Sequence, residues 1–331
     1  MPTAPRLASV LRCALLTLVA LLSGSANAAE PQQPTTAQAN TALQMGKVDE
    51  AAATLHTILA AQPNNALAHQ LLCRVFYAQD IADPAVHECE LAVANAPTVS
   101  DHHLWLGRAY GLKASQTNPF TAIGFAKRVH DEFERSVQLD PNAPRAASDL
   151  GQFYINAPGM VGGGTDKAQA LITRIEPRFP AYSHRLRALL AEKNSDSATA
   201  ETEFKAAIAA SASSSEAWID LADFYQRHKK NDQAVAAIQS ALAPNPRGPV
   251  LVDAASILIA AKRSPDLAER LLRSYLASPS KTDESPAFKV NVQLGDLLNR
   301  RGDTAGAHAQ YAAAAALAGS YEPARKALQK T

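Results

Sequence analysis

Apolar and small residues recur along this chain in two columns, both with helical spacing. The first column sets a large apolar residue, a small residue and then an aromatic or large one on a single helix face. It is filled by Leu72, Cys73 and Phe76, by Leu106, Gly107 and Tyr110, and by Leu150, Gly151 and Tyr154. It returns as Trp218, Leu221, Ala222 and Tyr225, and as Leu294, Gly295 and Leu298. The second column opens on alanine, at Ala51, Ala85, Ala168, Ala200, Ala234, Ala268 and Ala307. A larger apolar residue follows four positions on and usually a small one seven on, as in Phe204 with Ala207, Ile238 with Ala241 and Tyr311 with Ala314. No β-branched run alternates convincingly, so the pattern predicts paired helices. Glycine or alanine on the first helix lets the second approach closely, and the aromatic residues wedge between neighbouring pairs. Each pair alone leaves an apolar face exposed, and stacking several buries it as one core.

Prolines punctuate the columns. Pro63 and Pro97 stand 34 residues apart, and Pro246 resumes the pattern after a break. The departures from the period predict specific structure. Between Tyr110 and Pro141 there are about ten residues too many, which a long second helix from Pro119 to Leu139 absorbs. Asn156 to Gly164, with four glycines, predicts a loop followed by a helix capped by Thr165 or Asp166. Residues 278–286, rich in serine and charge, widen the gap between the last two pairs. The pair beginning near Ser183 lacks the aromatic column.

A 34-residue period with these proline, glycine, alanine and aromatic columns resembles the tetratricopeptide repeat family. The resemblance covers nearly all of the chain from Thr35 onward, with Asp140-Pro141-Asn142 matching the family's punctuation. It implies an all-α, right-handed α-solenoid of about eight stacked helical hairpins. The expected units lie near 35–65, 66–99, 100–143, 144–182, 183–214, 215–248, 249–282 and 288–320, with a solvating end helix over 321–331.

Ahead of the repeats, Arg6 and Arg12 precede an apolar stretch from Cys13 to Leu22, and Ala26-Asn27-Ala28 closes a small-residue segment. That arrangement predicts a secretory signal over 1–28 cleaved after Ala28, then an unstructured lead-in at 29–34, and a periplasmic or secreted mature chain. The apolar run is about ten residues where a membrane span needs roughly 20, so direct membrane insertion is not expected. A formal net charge of +1 offers no global attraction to nucleic acid. Of the three cysteines, Cys73 and Cys89 remain after cleavage. They fall on the two antiparallel helices of one hairpin, and either a bridge or two buried thiols fits the sequence.

Candidate chemistry is sparse. Gly159 to Gly164 lacks the Gly-Lys-Ser/Thr of a phosphate cradle and follows a helix where a strand is required, leaving a turn or a partner-contacting loop. Adjacent His102 and His103 point about 100° apart on a helix and share no face, while His87 with Glu90 and His130 with Glu134 are ordinary same-face pairs. No nucleophile elbow or metal-ligand motif is present, so no metal, cofactor or catalysis is expected. In this family the first helix of each hairpin lines a concave groove. The core register places Gln70, Arg74 and Tyr77 there, then Leu104 and Arg108 with Leu112, then Arg145 and Gln152, then His184 and Arg187. Farther on, the same surface carries Glu216, Asp223, Asp253 and Asp296. Guanidinium groups repeated in one column hold carboxylates in bidentate geometry. The expected function is therefore a non-catalytic scaffold or adaptor of the bacterial cell envelope that binds a protein or peptide through an acidic segment. The alternative is a transporter-associated subunit enclosing a small molecule in an apolar chamber closed by the long helix near Pro119.

Overall fold

A computed structural model describes residues 34–211 and 214–330, and the expected signal at 1–28 lies outside them. Eight helical hairpins follow one another. They are α1 (Thr36–Gln44) with α2 (Val48–Ala61), α3 (Ala66–Ala78) with α4 (Ala82–Asn95), and α5 (Ser100–Ser115) with α6 (Pro119–Leu139). Next come α7 (Pro144–Asn156) with α8 (Thr165–Ile175), and α9 (Pro180–Lys193) with α10 (Ser197–Ala210). The last three are α11 (Ser214–Arg227) with α12 (Asn231–Leu242), α13 (Pro249–Ala260) with α14 (Pro265–Ala277), and α15 (Ala287–Arg300) with α16 (Thr304–Leu317). A short α17 (Glu322–Leu328) ends the series, and no strand occurs among the described residues. The chain is an all-α solenoid.

The columns account for the packing. All seven alanines that open second helices are 0% exposed, so any larger side chain there would push a hairpin apart. A Cβ added at Gly107 would lie 2.5 Å from the ring of Phe133 on the partner helix, and one at Gly295 would lie 2.5 Å from Tyr311 on its partner. At Gly151 the intruding atom is Leu186 of the following hairpin, also at 2.5 Å. The difference has a local cause, because the glycine loop delays α8. That loop makes one 3-10 turn at Gly159–Val161. The cap of α8 departs from expectation: its N-cap is Gly164, with no side-chain hydrogen bond, and neither Thr165 nor Asp166 performs the role.

The aromatic column adds a polar tie to its wedge. Tyr110, Tyr154 and Tyr225 donate their hydroxyls to Glu90, Glu134 and Glu201 on the second helix of the preceding hairpin, at 2.7, 2.7 and 2.9 Å. Burial and the neighbouring carboxylates raise the Tyr110 and Tyr154 pKa values and push that of Tyr225 to about 12, so all three remain donors. Histidines lock hairpins internally. His69 and His103 each bond a carboxylate of the partner helix, Glu88 at 2.7 Å and Glu132 at 2.6 Å, and the carbonyls of Pro63 and Pro97 at 2.8 and 2.9 Å. The bond to Glu132 favours the charged ring of His103 and raises its pKa.

The solenoid closes on itself. The small rotation from hairpin to hairpin accumulates over eight units, and the core of the first two hairpins takes in Phe288, Ala314, Ala318, Tyr321 and Ala324. A Cβ on Gly46, which has a φ of +78°, would lie 2.7 Å from the backbone nitrogen of Ala287. The amide of Gly319 donates to Asp49 at 2.7 Å, Ser320 to Gln79 at 2.7 Å and Lys289 to Asp80 at 2.8 Å. The end helix is therefore not merely a solvating cap. Ala324 is fully buried and Tyr321 stacks edge-on against Phe288, because the first hairpin covers the face that an open solenoid would have to shield.

Candidate functional site

First helices α3, α5 and α7 bring Arg74, Arg108 and Arg145 to the inner wall of this closed ring, where the α14–α15 loop, residues 278–286, meets them. Arg74 grips Asp283 with Nε and Nη2, both at 2.8 Å. Arg108 donates Nε to Asp149 of α7 at 2.7 Å and Nη1 to Glu284 at 3.3 Å, and Arg145 donates to the other oxygen of Glu284 at 2.9 Å. Burial disfavours the charge on Arg108, but Asp149 and Glu284 outweigh it and raise its pKa. Trp105 backs the site: the guanidinium carbons of Arg74 and Arg108 lie 4.9 and 4.7 Å from its ring centre. Tyr77 meets the same indole edge-on at 5.5 Å, and burial raises its pKa. A cavity of about 340 Å³ opens beside them, lined by Tyr77, Trp105, Arg108, Asp149, Glu284 and Lys289 among others.

The remaining residues expected in the groove divide. Gln152 sits half-buried on α7 and turns back to Ser148 at 3.4 Å. Gln70 is buried and bonds Asp101. Leu104 belongs to the core at 4% exposure, and it is the equally buried Trp105 beside it whose ring meets the Arg74 and Arg108 guanidinium groups of the inner wall. His184 faces Glu203 of its partner helix at 2.7 Å, as His69 and His103 face theirs, and Arg187 pairs with Glu176 where α8 ends. Both serve the hairpin stack rather than the inner wall. Asp223 pairs with Arg227 one turn on, and Asp296 accepts from Tyr311 at 2.8 Å.

Glu216 and Asp253 do share a cavity, of about 250 Å³, with Tyr182, Arg185 and Asp220. Arg185 donates Nε to both oxygens of Asp220, at 3.0 and 2.9 Å. Asp253 keeps accessible surface, yet it is crowded within the concave wall. That crowding, reinforced by Asp220, Glu216 and Glu284, lifts its pKa to about 6. Sequence reasoning missed Trp105, Asp149, Arg185, Asp220, Asp283 and Glu284. The serine- and charge-rich widening at 278–286 was the only signal for the last two, and period alone gives no direction across a ring.

Cys73 of α3, the residue before Arg74, and Cys89 of α4 are joined by a disulfide with a Cα–Cα distance of 5.3 Å. Among the described residues no three histidine, cysteine or acidic side chains are grouped so as to hold a metal ion.

Comparisons with known proteins agree with the architecture. The tetratricopeptide repeat family model matches residues 36–100 and 185–249, and no curated protein matches in sequence. Yeast Tom70 superposes with a TM-score of 0.51 at 16% identity, over 86% of this chain and 57% of that one. A thermophilic TPR protein of Thermus thermophilus gives 0.43 at 19% identity, over 68% of this chain and 100% of that one. The APC/C hetero-tetramer Cut9-Hcn1 gives 0.41 at 13% identity, over 88% of this chain and 54% of that one. This chain thus spans little more than half of the Tom70 and Cut9-Hcn1 chains, and the likeness to Tom70 concerns the fold alone. The two stretches matched by the repeat model, the eight stacked hairpins and the helix-packing columns that join them make the chain a solenoid with tetratricopeptide repeats at 36–100 and 185–249.

Proposed function

We propose that this chain is a polypeptide-binding scaffold of the cell envelope that holds an acidic segment of a partner against the inner wall of its ring. The family's fold generally mediates protein–protein interaction. One observation carries the finer reading: the wall of Arg74, Trp105, Arg108 and Arg145 already holds a polypeptide segment, and holds it by two consecutive carboxylates, Asp283 and Glu284. Bidentate, ring-backed guanidinium groups in a concave surface recognise geometry as well as charge. The two cavities described above each place at least four charged side chains beside their apolar ones, which suits a polar segment better than the apolar chamber that a small-molecule subunit calls for. The charged groups there are largely engaged with one another, and we read the chain as non-catalytic.

Placement in the envelope rests on the basic, apolar and small-residue order of residues 1–28, and the Cys73–Cys89 disulfide fits an oxidising compartment. Affinity capture from envelope extracts, with wild type beside Arg108→Glu/Arg145→Glu, tests the reading. Proteins retained by wild type and released by the charge reversal are expected. Equal capture by both chains contradicts it.

A further inference from the structure

We infer that residues 278–286 are a displaceable intrachain ligand, occupying the arginine wall until an acidic segment of a partner takes their place. The inference rests on the scaffold reading above and adds what the free protein does with its own site.

The loop has no part in the repeat. Its carboxylates join arginines 209, 176 and 139 residues away, through side chains alone, whereas every hairpin is held by its apolar columns. The contact is also graded. Asp283 is enclosed, with 5% of its side chain exposed, while Glu284 and Arg145 lie nearer the rim at 36% and 61%. Exchange can therefore begin at Glu284, where the 340 Å³ cavity beside Arg108 and Lys289 offers room for an incoming carboxylate before the loop departs.

Charge burial selects the competitor. Withdrawing Asp283 with nothing in its place strands the enclosed Arg74 guanidinium against Trp105, which is costly. The wall opens readily only to a group that restores a carboxylate. Asp149 keeps Arg108 oriented whether or not the loop is present, so the vacated site stays formed. The loop is meanwhile tethered close by. Tyr275 of α14 donates to the Ser285 carbonyl at 2.6 Å and accepts from the Thr282 amide at 3.0 Å. A tether of this kind sets a high effective concentration, so a short free peptide competes weakly and a partner with further contacts competes well.

The test uses a labelled peptide of residues 278–286, titrated by fluorescence anisotropy into the full mature chain. Asp283→Asn/Glu284→Gln should bind it at least tenfold more tightly than wild type. Adding Arg108→Ala should abolish the gain, and a peptide carrying the same two amides should not bind. Equal affinity for wild type and double variant, or no binding to a folded double variant, overturns the inference. Should the double variant not fold, hydrogen exchange on wild type decides: excess peptide must accelerate exchange of the amides in 278–286, and unchanged exchange overturns the inference. Loss of this result with partner capture intact makes the loop a fixed strut and leaves the scaffold reading standing.

Discussion

Arg74 and Asp283 stand 209 residues apart in sequence and meet through two 2.8 Å hydrogen bonds across the inside of a closed ring. Both side chains are largely enclosed, at 14% and 5% exposure. Removing one partner from such a pair leaves a charge without compensation. Arg74→Ala or Asp283→Ala alone should each destabilise the fold by about 3 kcal/mol. The double variant should cost clearly less than the sum. Urea denaturation of the four chains measures this, and strict additivity would show that the pair is not coupled.

Two helix glycines, one on each helix of the third hairpin, predict opposite signs. Gly107→Ala drives a methyl into Phe133 and should cost about 1 to 3 kcal/mol. Gly124, in the exposed part of α6, has nothing within 4 Å of an added Cβ, so Gly124→Ala should gain about 0.5 to 1 kcal/mol of helix propensity. Thermal unfolding of the two variants checks the contrast. A stabilised Gly107→Ala would refute the close-approach account of the column.

Cys73 and Cys89 close a loop with a sequence separation of 16, for which chain entropy alone gives about 3 kcal/mol. Purified from an oxidising compartment, the chain should resist alkylation until reduced. Reduction should lower its unfolding midpoint. Two thiols alkylated without reductant, read by mass spectrometry, would be the contrary result.

Asp253 gives the ring a pH dependence of defined sign. Its folded pKa of about 6 lies above the ordinary 3.8, so between these values the folded state keeps a proton that the unfolded chain releases. The contribution is therefore full below about pH 4 and falls as pH rises to about 6. Asp253→Asn should remove this part of the profile and leave the variant more stable than wild type at neutral pH. Denaturant midpoints at a series of pH values decide it, and parallel profiles would contradict the assignment.

Much of the fold was legible because its determinants are local and repeated. The alanines from Ala51 to Ala307, the close-approach glycines, and the long helix Pro119–Leu139 are set by spacing within one or two hairpins. The candidate site was half legible. Register placed Arg74, Arg108 and Arg145 on one wall, but the acidic segment they hold came from the same chain rather than another. Only accumulated curvature brings Asp283 and Glu284 there, and no residue near Arg74 encodes curvature. His184 and Arg187 were misplaced for a simpler reason. In that hairpin, which lacks the aromatic column, the groove and hairpin faces look alike in sequence, and only the positions of Glu203 and Glu176 tell them apart.

Site-specific photo-crosslinking in producing cells shows whether a partner polypeptide lies on the inner wall. A photoreactive residue at position 152 or 216 on the inner wall, compared with one at Lys127 on the exposed part of α6, reports which surface touches other chains. Adducts to the same protein are expected from 152 and 216 and none from 127, and those adducts should be lost when Arg108→Glu/Arg145→Glu is added. Adducts from 127 alone, or adducts from 152 and 216 that survive the charge reversal, would contradict that placement.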